Sequence, residues 1–137
     1  MPCLTFYFIR SSLINLFVGF SIGMLLLWQK GAFLPPEVWR LLPLHLELLT
    51  FGWIIQLVMG VAFWILPRFS KAPVRGNETI VWVSFITLNI GILLYGLQSF
   101  LPEREVCALI GRLLEFFSIL CYGRSIWKRI KPFGEAE

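Results

Sequence analysis

His45-Leu-Glu-Leu-Leu-Thr-Phe-Gly-Trp-Ile-Ile-Gln-Leu-Val-Met-Gly-Val-Ala-Phe-Trp-Ile-Leu-Pro-Arg-Phe69 decides what kind of chain this is. From Leu44 to Leu66 it runs 23 residues with three strongly polar side chains, His45, Glu47 and Gln56, and Pro67 ends it. At about 1.5 Å per residue a helix of that length reaches roughly 34 Å, enough to cross a hydrocarbon core of about 30 Å with some tilt. The stretch reads as one transmembrane helix carrying the only histidine of the chain and a carboxylate in its first two turns. Steps of three and four put His45, Leu49, Gly52, Gln56, Gly60 and Phe63 on one stripe. Two glycines on a stripe headed by a histidine predict a trough free of side chains, in which a flat ligand held through His45 could lie.

The rest of the chain has the same character. Of 137 residues 58% are hydrophobic, and mean hydropathy is +0.78. Four apolar runs of about 18 to 25 residues are too long and too evenly hydrophobic for core helices of a soluble domain this size. The expected fold is all-α: a four-transmembrane-helix bundle forming a single integral membrane domain over residues 1–137 in the lipid bilayer. Its helices are expected at about 12–29, 43–66, 78–99 and 102–127. The net charge of +4 lies almost wholly in the connections, so no basic patch suits nucleic acid. Only Arg10 precedes the first long run and no clean cleavage site follows it, so that run reads as a retained helix rather than a signal peptide.

Local signals set the boundaries. Ser11 or Ser12 suits an N-cap for the first helix, which could also begin earlier because residues 4–9 are apolar, and Gly31 suits its end. Gly19 and Gly23 allow close backbone approach, either across a dimer seam or against another helix of the same chain. Pro43 fits the first turn of the second helix. Asn77 caps the third, where Asn89 and Thr87 are placed to bond to neighbouring helices. Pro102 opens the fourth, which finishes in Lys128, Arg129 and Lys131. Cys3, Cys107 and Cys121 are too scattered for a zinc site or covalent haem attachment, and the last two read as small buried hydrophobes.

Orientation follows from the cations. With four helices, Arg10, Arg68, Lys71, Arg75, Arg124, Lys128, Arg129 and Lys131 share one side, against Lys30, Arg40 and Arg104 on the other. That excess places both termini in the cytoplasm and the protein in a cell inner membrane as a multi-pass chain. Trp28 and Trp39 then belt the outer interface, Trp64, Trp82 and Trp127 the inner one. His45 falls near the outer face.

Three ionisable side chains sit at hydrophobic depth: Glu47, Arg112 and Glu115. Each costs roughly 2.5 to 3.5 kcal/mol at mid-bilayer, so partners are expected. Arg112 pairs with Glu47, or with Glu115 one turn on; the pair fixes helix register, or Arg112 holds an acidic cofactor group such as a haem propionate. A lone histidine near a helix end is commonly an interfacial, hydrogen-bonded residue. As a haem ligand, His45 lacks a second histidine in the chain. Met24 lies about a turn from the outer end and could reach the iron, whereas Met59 is roughly 21 Å below His45 along the axis and cannot. On a two-fold axis a homodimer supplies a second His45.

His45, Phe51-Gly52-Trp53, Gly60 and Leu66-Pro67 resemble the second transmembrane helix of haem-copper oxidase subunit I, particularly its cbb3-type and nitric-oxide-reductase-like branch, and the related NnrS-type membrane haem proteins. The resemblance covers about 25 of the 137 residues. It implies that His45 ligates a low-spin haem near the outer face and that Gly52 and Gly60 are packing positions. Subunit I has about twelve helices and several more histidines for a second haem and a copper ion; this chain has no further histidine. Gas reduction at a binuclear centre by this chain alone is therefore ruled out, leaving at most an electron carrier. The leading expectation is a cytochrome-like membrane protein binding haem b through His45, with Gly52, Gln56 and Gly60 lining the trough and Arg112 on a propionate. A homodimer or larger respiratory complex is the expected assembly. The alternative is a haem-free accessory or assembly subunit of such a complex.

Overall fold

The computed structural model describes residues 3–31, 35–67 and 75–130. They form helices and short turns, with four helices long and apolar enough to cross a membrane. Helix α1 is Cys3–Gln29. Helix α2 is the continuous span Pro36–Ile65, α3 is Glu78–Gly96, and α4 is Arg104–Ile126. Of the cations counted for orientation, Arg68, Lys71 and Lys131 lie outside the described residues.

Helix α1 begins nine residues before the expected Ser12. That serine does not cap: its hydroxyl donates back to the Ile9 carbonyl at 2.7 Å, so it is accommodated inside the helix. Asn77 does cap α3, accepting from the Thr79 backbone N–H at 3.0 Å. The chain turns into that cap through Gly76, whose φ of 77° lies in the left-handed region. A short 3₁₀ turn, Gln98–Phe100, replaces the expected end of the third helix, and another, Trp127–Arg129, follows the fourth, which ends close to where it was expected. The chain resumes α-helix at Arg104 rather than Pro102.

The largest departure lies inside α2. It opens as a 3₁₀ turn over Pro36–Leu41, becomes α over Leu42–Glu47, widens to a π-helix over Leu48–Ile55, and returns to α over Gln56–Ile65. A π-helix bonds each N–H to a carbonyl five residues back, and such stretches recur at functional sites. Two side chains serve carbonyls in and beside the widened turns. Thr50 donates to Leu46 at 2.7 Å, and Asn15 of α1 donates to Gly52 at 3.1 Å.

Helices α1 and α2 pack along one another, as do α3 and α4, and α3 lies against α2. The glycines explain the first contact. A Cβ at Gly19 would stand 2.7 Å from Leu49, at Gly23 2.6 Å from His45, and at Gly60 2.7 Å from Phe8. Gly19 and Gly23 are therefore a seam within the chain.

Between α3 and α4 the approach is backbone to backbone. A Cβ on Gly111 would lie 2.8 Å from the Tyr95 nitrogen and 3.0 Å from the Gly91 carbonyl. Nearer the start of α3, Ser84 donates to the Ser118 carbonyl at 2.9 Å, and Ser118 returns the bond to Ser84 at 2.7 Å. Because backbone cannot rotate away, Gly111→Ala should destabilise the protein by about 1–3 kcal/mol in detergent unfolding. Gly123→Ala, with nothing within 4 Å of the added carbon, should instead be neutral or stabilising by about 0.5–1 kcal/mol, since it removes a helix-interior glycine.

Two further sequence readings are corrected. Asn89 accepts from Ser11 of α1 at 3.3 Å, but among the described residues Thr87 bonds into its own helix, at Val83 and Ser84. Cys107 and Cys121 are half-buried rather than buried.

Candidate functional site

His45 leaves α2 toward α1. Its Nδ1 lies 2.8 Å from the Gly19 carbonyl oxygen, and Gly23 provides the flat floor against which the ring rests. A carbonyl only accepts, so Nδ1 carries the proton and donates. The lone pair is then on Nε2, the arrangement in which a second hydrogen bond fixes tautomer and ring angle for a metal-ligating imidazole.

Beside the ring, α1 and the first part of α2 form a recess of about 520 Å³, within the range of small-molecule and cofactor sites. Its walls are mostly apolar, from Phe20, Leu26, Leu27, Leu42 and Leu49, and its lining includes Gly23, Met24, His45, Lys30 and Trp39. Lys30 holds its ammonium 5.7 Å from the Trp39 ring centre. Met24 is 60% exposed, so its flexible thioether is open to an occupant.

The expected site residues therefore divide. His45 and Met24 share the recess; Gly52, Gln56, Gly60 and Arg112 are elsewhere. The trough below His45 is already filled. Gly52 faces Asn15 and Gly60 faces Phe8, while Gln56 is fully buried and accepts from Asn15 at 3.2 Å. The stripe read as a ligand groove is the face on which α1 lies. The cause is steric: two bare glycine positions accept a helix as readily as a flat ligand, and α1 is covalently at hand.

Arg112 belongs to α4 and meets a different face of α2. It meets Glu47 through both nitrogens, Nη1 to Oε1 and Nη2 to Oε2, each at 3.0 Å. It also meets Glu115 through Nη1 at 2.7 Å. The two pairings set out as alternatives both form. With both acids supplied by the protein, Arg112 is removed from the recess as a propionate holder; Lys30 is the cation that lines it. Sequence reading passed over Lys30 because its position at the first helix end marked it only as a loop charge.

Lower down, α4 makes two more long-range contacts with α2. Tyr122 donates to the Met59 carbonyl. Arg129 is 1% exposed and donates to the Phe63, Leu66 and Pro67 carbonyls at 3.0, 2.7 and 3.0 Å. It closes the end of α2 and is not the surface charge that the cation count took it for.

Among the described residues no three His, Cys, Asp or Glu side chains gather to hold a metal ion. Iron in the recess would rest on one imidazole and a donor outside that set. Comparison with known proteins supplies one match. The family model described as Cytochrome C and Quinol oxidase polypeptide I covers residues 4–119, from α1 into α4. No curated protein and no solved structure matches the chain.

Proposed function

The chain belongs to the cytochrome c and quinol oxidase polypeptide I family, and on that premise we propose that this multi-pass membrane protein is a small haem b carrier of electrons. The observation that carries the reading is the hydrogen bond from His45 Nδ1 to Gly19, which aims an Nε2 lone pair beside a recess of cofactor size. The donor set fits: an imidazole, a thioether and a cation stand around apolar walls, and imidazole with thioether is a known axial pair for haem iron. His45 would hold the iron, Met24 would approach it from α1, and Lys30 would face an acidic edge group. Bound haem would supply one-electron exchange. The chain's own part would be to fix the imidazole tautomer through Gly19, exclude water with Phe20, Leu42 and Leu49, and offer the Met24 thioether as a second donor.

Within the family, Phe51-Gly52-Trp53 and Leu66-Pro67 support the cbb3-type and nitric-oxide-reductase-like branch. The cation asymmetry supports cytoplasmic termini in an inner membrane. Two sources exist for the opposite ligand, Met24 or the His45 of a second copy, and the place of Met24 in the recess favours the first.

The test is the absorption spectrum of protein purified with haem supplied during expression. A Soret band and a sharp reduced α band are expected, both lost in His45→Ala with helicity retained. Met24→Leu should convert six-coordinate low-spin haem to a five-coordinate high-spin form. An unchanged spectrum in a dimeric Met24→Leu protein would assign the second ligand to the other copy. A colourless preparation would reject the haem reading in favour of an accessory subunit that uses the second helix for packing alone.

A further inference from the structure

Away from the recess, Glu47, Arg112 and Glu115 form a cluster whose charges do not balance. Two carboxylates meet one guanidinium, and both are closed off, with side-chain exposures of 3% and 1%. Arg112 Nη1 donates to Glu47 Oε1 and to Glu115 Oε2, so a single nitrogen holds the two acids side by side. Glu47 has both oxygens bonded by the guanidinium. Glu115 does not: its Oε1 is buried and meets no hydrogen-bond partner among the described residues.

The surroundings leave that oxygen little help. The rings of Phe51 and Tyr95 cover the guanidinium at 5.2 and 3.6 Å, and Gly91 of α3 lies against Glu115 Cγ. The titratable groups facing the pair are Glu47 from α2, Tyr95 from α3 and Arg112 from α4. Helix α1 packs on the glycine-bearing face of α2, where its polar Asn15 is engaged with Gln56 and Gly52. An uncompensated charge in such a place costs several kcal/mol, and two carboxylates sharing a site resist ionising together.

We infer that Glu47, Arg112 and Glu115 form an intramembrane proton-binding site, in which one carboxylic proton is held by the glutamate pair. Uptake is a simple transfer: hydronium gives its proton to one carboxylate of the pair, a water molecule is left, and the cluster passes from a net charge of minus one to zero. From Arg104 to Arg112 is eight residues, so the site lies roughly 12 Å inside the start of α4. Arg112, with 40% of its side chain exposed, marks the open side of the cluster. The inference concerns a different face of α2 from His45 and stands whether or not haem is bound.

Infrared spectroscopy of the purified full-length protein at pH 7 tests it, because water-exposed carboxyls are ionised there and only a protonated one shows the carboxylic C=O stretch. One such band is expected, shifting in deuterium oxide and fading as pH is raised. Glu115→Gln should abolish it while preserving shape. Glu47→Gln should also abolish it, since the remaining carboxylate is then balanced by Arg112; Glu78→Gln, at the far end of α3, should leave it intact. Absence of the band in the unaltered protein would overturn the proposal, as would a band that survives both substitutions. Loss of the band on adding sodium or potassium at constant pH would also overturn it, by showing that the cluster takes a metal cation instead.

Discussion

Arg112→Leu should lower stability on the order of 3 kcal/mol, measured by detergent-denaturant unfolding, and the expected size follows from what the substitution leaves behind. Glu47 and Glu115 stay buried, and neither retains its guanidinium. Removing one partner of a buried pair is worse than removing both, because the orphaned charge keeps its desolvation cost. The partial exposure of Arg112 itself puts the loss at the lower end of that range. Sequence reasoning about a simple Arg112–Glu47 pair would predict that adding Glu47→Leu recovers most of the loss. The shared guanidinium changes that forecast. The double variant should recover only part, and adding Glu115→Leu should recover most of the remainder. A double variant as stable as the unaltered protein would show that Glu115 needs nothing from Arg112; strictly additive losses would deny coupling altogether.

Arg129→Met should cost a similar amount, about 3–4 kcal/mol, through a different route. The last carbonyls of any helix lack intrahelical partners, and at the end of α2 Pro67 offers no N–H to help. Arg129 answers three of them at once while lying 5.0 Å from the Phe63 ring centre. Each hydrogen bond from a charged donor contributes about 1.5–3 kcal/mol, less than additively here. Methionine fills the volume but donates nothing. Arg129→Lys keeps the charge on a flexible stem without the planar fork, so it should recover less than half. Hydrogen exchange should localise the damage: amides over residues 60–66 lose protection first in Arg129→Met, while those around Ser84 and Ser118 keep theirs. Uniform loss across all four helices would assign Arg129 to global packing instead.

The comparison of the two arginines shows where one-dimensional reading stops. Arg112 lies in α4 and Arg129 in the turn that follows it, and hydropathy singles out Arg112 because it interrupts an apolar run. Arg129 sits in a basic cluster with Lys128 and Lys131, the pattern of an interfacial finish, so nothing in composition marks it as buried. Its role depends on where α4 ends relative to Pro67, 62 residues earlier in the chain. The same distinction separates His45 from the glycines beneath it. Spacing correctly grouped Gly52 and Gly60 on one stripe, but spacing does not say whether a helix or a ligand occupies a bare surface.

What the chain's order of residues determined alone was the solvent and the element count. Four runs too long and too apolar for water must be helices in lipid, where every backbone group has to be satisfied internally, and the polar residues among them must find partners. Which partners they find was decided by tertiary structure. Close approach at Gly19, Gly23 and Gly60 brought α1 over the predicted trough, a π-helical stretch carried no signature in a sequence that reads as uninterrupted α, and parallel packing of α2 and α4 brought Glu47 to the guanidinium that Glu115 already holds. Helix formation is driven by local hydrogen bonds and composition. Side-chain pairing depends on the rotation and depth of whole helices, which many small packing contacts set together.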